Sequence, residues 1–337
     1  MILGLLREVK PGERRVALGP PQVQALASRG HEVRVERGAG AGVGEGDDAY
    51  RAAGARLVDR AGAWAADLVV KVKELQESEL EELPQGRTLF AFMHLPGVPQ
   101  RTRALAAKGT TAIAFEMVRD SHGGFPLLAP MSTIAGRMAI DVALEPRRAP
   151  LHRVVILGAG HAGAAAARAA AQAGATVTML RRGTATPDAI ERAVLEADLV
   201  VGAVFVPASP TPKLVPRALV RRMRRGAMIV DISIDAGGVA ETTRATTHDD
   251  PVYVEEGVIH YAVANMPAAR PREAAEALWA AALPHVEEMA REGIAAAMRD
   301  NGGLRSGVLL WRGRLNHAGI AAEAGLACEP LQPDDLR

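Results

Sequence analysis

Short apolar runs alternate with stretches of helical spacing along most of the chain, and glycine or proline marks nearly every boundary. Strand-like runs fall at residues 1–6, 31–35, 56–58, 67–73, 88–95 and 111–118. Between them, 20–29, 47–55, 60–66, 77–83 and 98–108 have the spacing of helices with one buried face. Strands alternating with helices in this way predict a parallel, doubly wound sheet. A helix over 131–144 leads into a short charged linker, 145–150. The alternation then resumes, with strands at 154–157, 175–180, 199–206, 227–232 and 257–262. Helices are expected at 187–197 and from the Pro/Ser/Thr loop 207–212 up to residue 225. From Ala274 the pattern is mostly helical, and this last stretch is expected to return to the first domain.

The second series opens on RVVILGAGHAGAAAARAAAQAGATVTMLRR, residues 153–182. Strand, glycine turn, alanine-rich helix and strand within thirty residues form the βαβ unit of a dinucleotide site. In Gly158-Ala159-Gly160-His161-Ala162-Gly163, the first glycine allows the tight turn. The second lets backbone N–H groups approach a pyrophosphate, and the third lets the helix sit close to the strand. The helix N-terminus then offers unpaired donors to the phosphates. The plainer alternative is a glycine- and alanine-rich core turn without a ligand. The fold class predicted is α/β with two doubly wound domains. A nucleotide-binding domain of residues 131–269 is inserted into a discontinuous domain made of 1–130 and 270–337.

Charge and composition narrow the partners. A formal net charge of +1 over 337 residues gives no footprint for nucleic acid or an anionic membrane. No uncharged apolar stretch is long enough to span a bilayer, and Arg7 and Glu8 break the first apolar run too early for a signal peptide. The one cysteine, Cys328, has no internal partner, which suits a reducing cytoplasm. No metal site is expected. Basic residues are mostly arginine, and the five lysines are Lys10, Lys71, Lys73, Lys108 and Lys213.

Ligands of open α/β sheets sit at the carboxyl ends of strands, and four polar groups fall there. Arg15 follows the first strand, Lys73 closes DLVVKVK, His94 closes TLFAFMH, and Asp235 lies just past MIVDI. A cation pair, an imidazole and a carboxylate beside a nicotinamide suit a small 2-oxo or 2-amino acid. Arginine grips a carboxylate through two parallel hydrogen bonds, and histidine exchanges protons near neutrality. Each group also has a plainer reading. Lys71 and Lys73 could face solvent together from one strand, His94 could be a core histidine, Asp235 a turn residue and Arg15 a surface arginine.

The stretches REVKPGERRVAL, GHEVRVERGAG, DLVVKVKE, TAIAFEMV, PLLAPMSTIAGRMA, VVILGAGHAG, ADLVVGAV, MIVDISIDAGG, TTHDDPVY and VANMP, with His94-Leu95, occur in this order. Together they resemble the alanine dehydrogenase and pyridine nucleotide transhydrogenase family over nearly the whole length. The resemblance implies a Rossmann domain inserted into a catalytic domain built from both chain ends. It also implies reversible NAD-dependent oxidative deamination of L-alanine to pyruvate and ammonia. Arg15 and Lys73 match substrate-binding residues, with Glu74 matching beside them, and His94 and Asp235 match the catalytic pair. Met131 matches a residue lining the substrate pocket, and Ser132 one near the pyrophosphate. Ile232, Val263 and Asn265 match the nicotinamide side, Asn265 also serving the substrate, and Val204 joins the cofactor-binding set. A homo-oligomer, a hexamer by resemblance, is implied. The resemblance leaves open a relative acting on another 2-oxo acid, imine or amino acid. It also leaves open a nucleotide-binding module of the transhydrogenase type.

The chain departs from the family pattern in a few places. Arg181 stands where the family has an aspartate for the adenosine ribose, which makes NADP an alternative to NAD. The linker before the glycine turn is short, and a strand–helix stretch after Gly183 is missing. Ala280 and Ala282 replace the usual asparagine and threonine.

Overall fold

The computed structural model describes residues 1–145 and 150–336, so most of the expected linker at 145–150 lies outside the described residues. In chain order the strands are β1 (Ile2–Leu5), β2 (Glu32–Glu36), β3 (Arg56–Val58), β4 (Leu68–Val70), β5 (Thr88–Ala91), β6 (Thr111–Ala114) and β7 (Arg153–Leu157). They continue with β8 (Thr176–Leu180), β9 (Leu199–Gly202), β10 (Met228–Asp231), β11 (Val252–Glu255), β12 (Val258–Tyr261), β13 (Val308–Trp311) and β14 (Arg314–Leu315). They form an eight-stranded sheet, β14-β13-β6-β5-β4-β1-β2-β3, and a six-stranded sheet, β11-β12-β10-β9-β7-β8. The chain divides into two compact units, Met1–Leu128 with Arg270–Arg337, and Ala129–Ala269. The α/β class with an inserted second domain is therefore the architecture observed.

In the first unit, β1 to β6 are parallel and the strand order reverses between β1 and β4. The C-terminal return adds β13 antiparallel to β6, then β14 antiparallel to β13. The return also supplies the helix Pro271–Glu292. Its Trp279 donates its indole N–H to Val16 O at 2.8 Å, and the ring lies where Gly19 leaves no Cβ to obstruct it. In the second unit, β12-β10-β9-β7-β8 are parallel and the order reverses between β7 and β9. Its core is aliphatic, with Leu157, Val194, Val200, Val220 and Ile229 fully buried. Local signals set the helix starts. Thr186 accepts from Ala189 N before Pro187–Glu196, and Gln76 with Glu79 forms a capping box for Glu77–Glu82.

Several expectations need correction. The stretches 67–73, 88–95 and 199–206 are strands only in their first parts, and 111–118 turns into a short 3₁₀ helix at Phe115–Met117. The helix expected up to residue 225 is one turn, Arg217–Val220. Antiparallel β11, β13 and β14 were not anticipated, because short edge strands carry little periodic signal. Lys71 and Lys73 do not face solvent from a strand. Both follow β4 and both are buried.

Lys71 is held by charge. Its ammonium lies 2.9 Å from Glu8 Oε2 and 2.8 Å from Glu79 Oε1. Arg60 binds Glu79 at 2.6 Å and Glu36 at 2.9 Å, extending the network. Burial works against the Lys71 charge, but Glu8 and Glu79 outweigh it and raise the lysine's pKa. Burial pushes the Glu8 carboxyl up, against the pull of Lys71. Replacing Lys71 with Met leaves Glu8 buried without its cation, which costs about 3–5 kcal/mol. Glu8 then binds its proton still more tightly in the folded state. The variant's stability deficit is therefore smallest near pH 5 and grows as pH rises past neutrality. Thermal midpoints of K71M and the wild type across pH 5–8 measure this. A deficit that shrinks with rising pH would contradict the assignment.

Candidate active site

The carboxyl ends of β1, β4, β5 and β6 meet around the reversal point of the first unit's sheet, the usual ligand position in open α/β sheets. The ladder between β4 and β5 runs on beyond the strands through Lys71 N to Phe90 O and Phe92 N to Val72 O, both 3.1 Å. Buried carboxylates then take over the backbone. Glu8, in the loop after β1, accepts from Val72 N at 2.7 Å and Lys73 N at 3.4 Å. Glu116, on the turn after β6, accepts from Met93 N at 3.1 Å and His94 N at 2.8 Å. The chain leaves the sheet at these points without orphaning its amides, and there it presents Lys73 and His94.

Lys73 and His94 share one aromatic ring. The Lys73 ammonium stands 5.9 Å over Phe92, and the His94 imidazole stacks on Phe92 with centroids 5.8 Å apart and planes 9° from parallel. Glu74 Oε2 lies 3.4 Å from the Lys73 ammonium, and Lys10 binds Glu74 Oε1 at 2.5 Å. Burial pushes the Glu74 carboxyl up. Lys73, His94 and Lys10 outweigh burial and hold it well below the usual carboxylate range. Arg15 is buried and not a surface arginine. Glu13 holds its guanidinium in a fork, Nε to Oε1 at 2.7 Å and Nη2 to Oε2 at 2.5 Å. Arg15, Lys73, Glu74 and His94 thus belong to one unit and one sheet end. His94 is half-buried with φ 42°, so it is not a core histidine.

The second unit carries the glycine turn at the carboxyl end of β7. Gly158 has φ 113°, and a Cβ there would collide with Ala203 O. A Cβ on Gly163 would collide with Gly158 O, whereas one on Gly160 would meet nothing within 4 Å. Backbone therefore packs tightly on one side of the turn, and open space remains on the other. Gly160 precedes the helix His161–Gln172 with no side-chain cap, so the amides of His161, Ala162 and Gly163 border that space. These residues fit the pyrophosphate of a dinucleotide. Gly136 sits against Ala162 O, which places Ser132, one turn earlier on the helix Leu128–Leu144, along the same face. Met131 beside it is buried.

A third carboxylate organises the ends of β9 and β10. Asp231 accepts from Val239 N at 2.7 Å and Ser233 N at 3.2 Å, and Ser233 Oγ accepts from Val204 N at 2.8 Å. Burial pushes Asp231 up against the pull of these amides. Asp235 is exposed on the turn Ile232–Ala236, and Asn265 N donates to its Oδ2 at 3.4 Å. Ile232 is half-buried and Val263 is buried. Arg181 and Arg182 follow β8 on an exposed turn closed by Thr184, whose N donates to Arg181 O at 2.8 Å. No acidic residue lies between them and Pro187. Among the described residues no group of His, Cys, Asp and Glu suits a metal, and no helix is long and apolar enough to cross a membrane.

Sequence reading missed Glu8, Glu13, Glu116, Asp231 and Ser233. Glu8, Glu116, Asp231 and Ser233 lie at or within three residues of the carboxyl end of a strand, a signal that alone does not separate a cap from a surface residue.

Residues 4–135 match the family model "Alanine dehydrogenase/PNT, N-terminal domain", and residues 179–318 match "Alanine dehydrogenase/PNT, C-terminal domain". The chain is 40% identical to an alanine dehydrogenase of Halomonas elongata over 97% of both chains. It is also 40% identical to one of Staphylococcus saprophyticus, over 98% of this chain and 99% of that protein. A solved L-alanine dehydrogenase shares 37% identity with a TM-score of 0.86, covering 96% of this chain and 98% of the other. A solved transhydrogenase from Sinorhizobium meliloti, at 24% identity and TM-score 0.80, shares the fold over 94% of this chain and 99% of its own.

Proposed function

The chain belongs to the alanine dehydrogenase/pyridine nucleotide transhydrogenase family, and from that premise we propose that it catalyses the reversible oxidative deamination of L-alanine to pyruvate and ammonia. The observation that carries this reading is the near-full-length identity to alanine dehydrogenases together with Arg15, Lys73 and His94 at one sheet end. The cofactor is NAD or NADP, whose nicotinamide ring, when bound, accepts the hydride from the substrate's Cα. The amides of His161, Ala162 and Gly163, with Ser132, hold the pyrophosphate. Val204, Ile232, Asp235, Val263 and Asn265 serve the nicotinamide side.

Arg15 and Lys73 bind the substrate carboxylate. Arg15 offers a guanidinium already oriented by Glu13, and Lys73 offers an ammonium whose nearest carboxylate, Glu74, stands at 3.4 Å. Glu74 is held ionised beside them by Lys73, His94 and Lys10. Loss of hydride from Cα leaves an imine. His94 then passes protons as water adds to the imine carbon and ammonia leaves the resulting carbinolamine. Asp235 takes the role of the family's catalytic aspartate, and Met131 matches a substrate-lining residue by family resemblance. A cytoplasmic homo-oligomer, a hexamer by family resemblance, completes the reading.

At the adenosine end, Arg181 and Arg182 supply cations and no carboxylate, the pairing a ribose 2′-phosphate takes. This favours NADP.

Two measurements test the reading. H94A should lower turnover of pyruvate and ammonia by at least about 10²-fold, with NADPH affinity by fluorescence unchanged. Activity at the wild-type level would remove His94 from the mechanism. R181D should shift the ratio of NADPH to NADH dissociation constants towards NADH. An unchanged ratio would leave this arginine without a role in cofactor choice.

A further inference from the structure

We propose that Glu116 is a positioning residue for His94, fixing the orientation of the imidazole through the backbone beneath it. The inference rests on the reading that His94 exchanges protons in the reaction. The β4–β5 ladder ends at Phe92 N. The next two amides, Met93 N and His94 N, would be left without partners as the chain turns away. One carboxylate takes both. Glu116 Oε1 accepts from Met93 N at 3.1 Å and from His94 N at 2.8 Å, and Oε2 also accepts from Met93 N at 3.1 Å.

The turn held in this way is one the chain avoids by itself. His94 has φ 42°, in the left-handed region that a side chain with a Cβ seldom occupies. Residues in such conformations persist where their surroundings over-determine them. A short turn after β6 supplies two of the contacts here. Phe115 packs edge-on against Phe92 with centroids 5.2 Å apart, and Phe92 is the ring on which His94 stacks. Glu116, the next residue, clamps the backbone. Ring and backbone are thus supported by adjacent residues of one element, and both Glu116 oxygens are engaged by main-chain amides. Removing its acceptors frees two amides and lets residue 94 relax to negative φ, which turns the imidazole off Phe92.

Glu116→Ala and Glu116→Gln separate the possibilities. The amide oxygen of Gln can still accept from Met93 N and His94 N, whereas Ala offers nothing. E116A should lower kcat for pyruvate amination about 10- to 100-fold, with NADPH affinity and pyruvate KM within about threefold of wild type, as for a loss of general acid–base placement. E116Q should recover most of kcat. If E116A fails to fold, E116Q against Glu116→Asp carries the same contrast, because the shorter side chain cannot reach both amides. Full kcat in E116A, or a loss in E116Q as large as in E116A, overturns the proposal. A parallel fall of kcat and cofactor affinity overturns it as well, since that marks general disruption. Wild type inactive on pyruvate with either cofactor would defeat the functional reading and not this one. Crystal structures of E116A and E116Q then decide it. His94 displaced from Phe92 in E116A and retained in E116Q supports the proposal, and an unmoved His94 in E116A overturns it.

Discussion

A peptide N–H that leaves a sheet inside a protein must find another acceptor. This chain meets that constraint repeatedly with carboxylates. Glu8 receives the amides after β4, Glu116 those after β5, and Asp231 those after β10. A parallel sheet ends its strands at one edge, so these caps gather where the ligands of such folds gather. The residues that stop the strands are therefore the ones that place Lys73, His94 and the loop carrying Asp235. Stability and site geometry rest on the same hydrogen bonds.

The lysines show how charge is divided between support and chemistry. Lys71 and Lys73 are two residues apart and both are buried, yet they do different things. Lys71 has two carboxylates within 3 Å and belongs to a network running through Glu79 to Arg60. Lys73 has its nearest carboxylate at 3.4 Å, longer than a charge-assisted hydrogen bond, and lies over an aromatic face. Its donors remain available to an incoming anion. Lys10 occupies the other oxygen of Glu74 and helps keep that carboxylate charged.

Much of this was legible in the residues. The glycine turn at 158–163, the alternation of strand and helix, and the return of the C-terminal stretch all followed from pattern and spacing. His94 and Lys73 were singled out as groups at strand ends, and the family resemblance chose between their functional and plainer readings. What stayed hidden were the places where side chains replace main-chain partners. Residues 71–73 (Lys-Val-Lys) and 92–94 (Phe-Met-His) continue the chain without a glycine or proline break, so the strand pattern was carried too far at both. An acidic residue such as Glu116, flanked by Phe115 and Met117, gives no local sign of which amides it will meet, because its partners lie 22 and 23 residues away. Likewise β13 is a four-residue run whose partner, β6, is nearly two hundred residues earlier.

That last pairing bears on how the molecule is made. The first unit cannot close its sheet edge on β13, nor seat Trp279 beside Gly19, until the ribosome has released the final third of the chain. The inserted unit is contiguous in sequence and needs no such wait. It can condense before the C-terminal return is made, so the first unit, whose β1 to β6 pair among themselves, is the one whose completion waits for the end of synthesis.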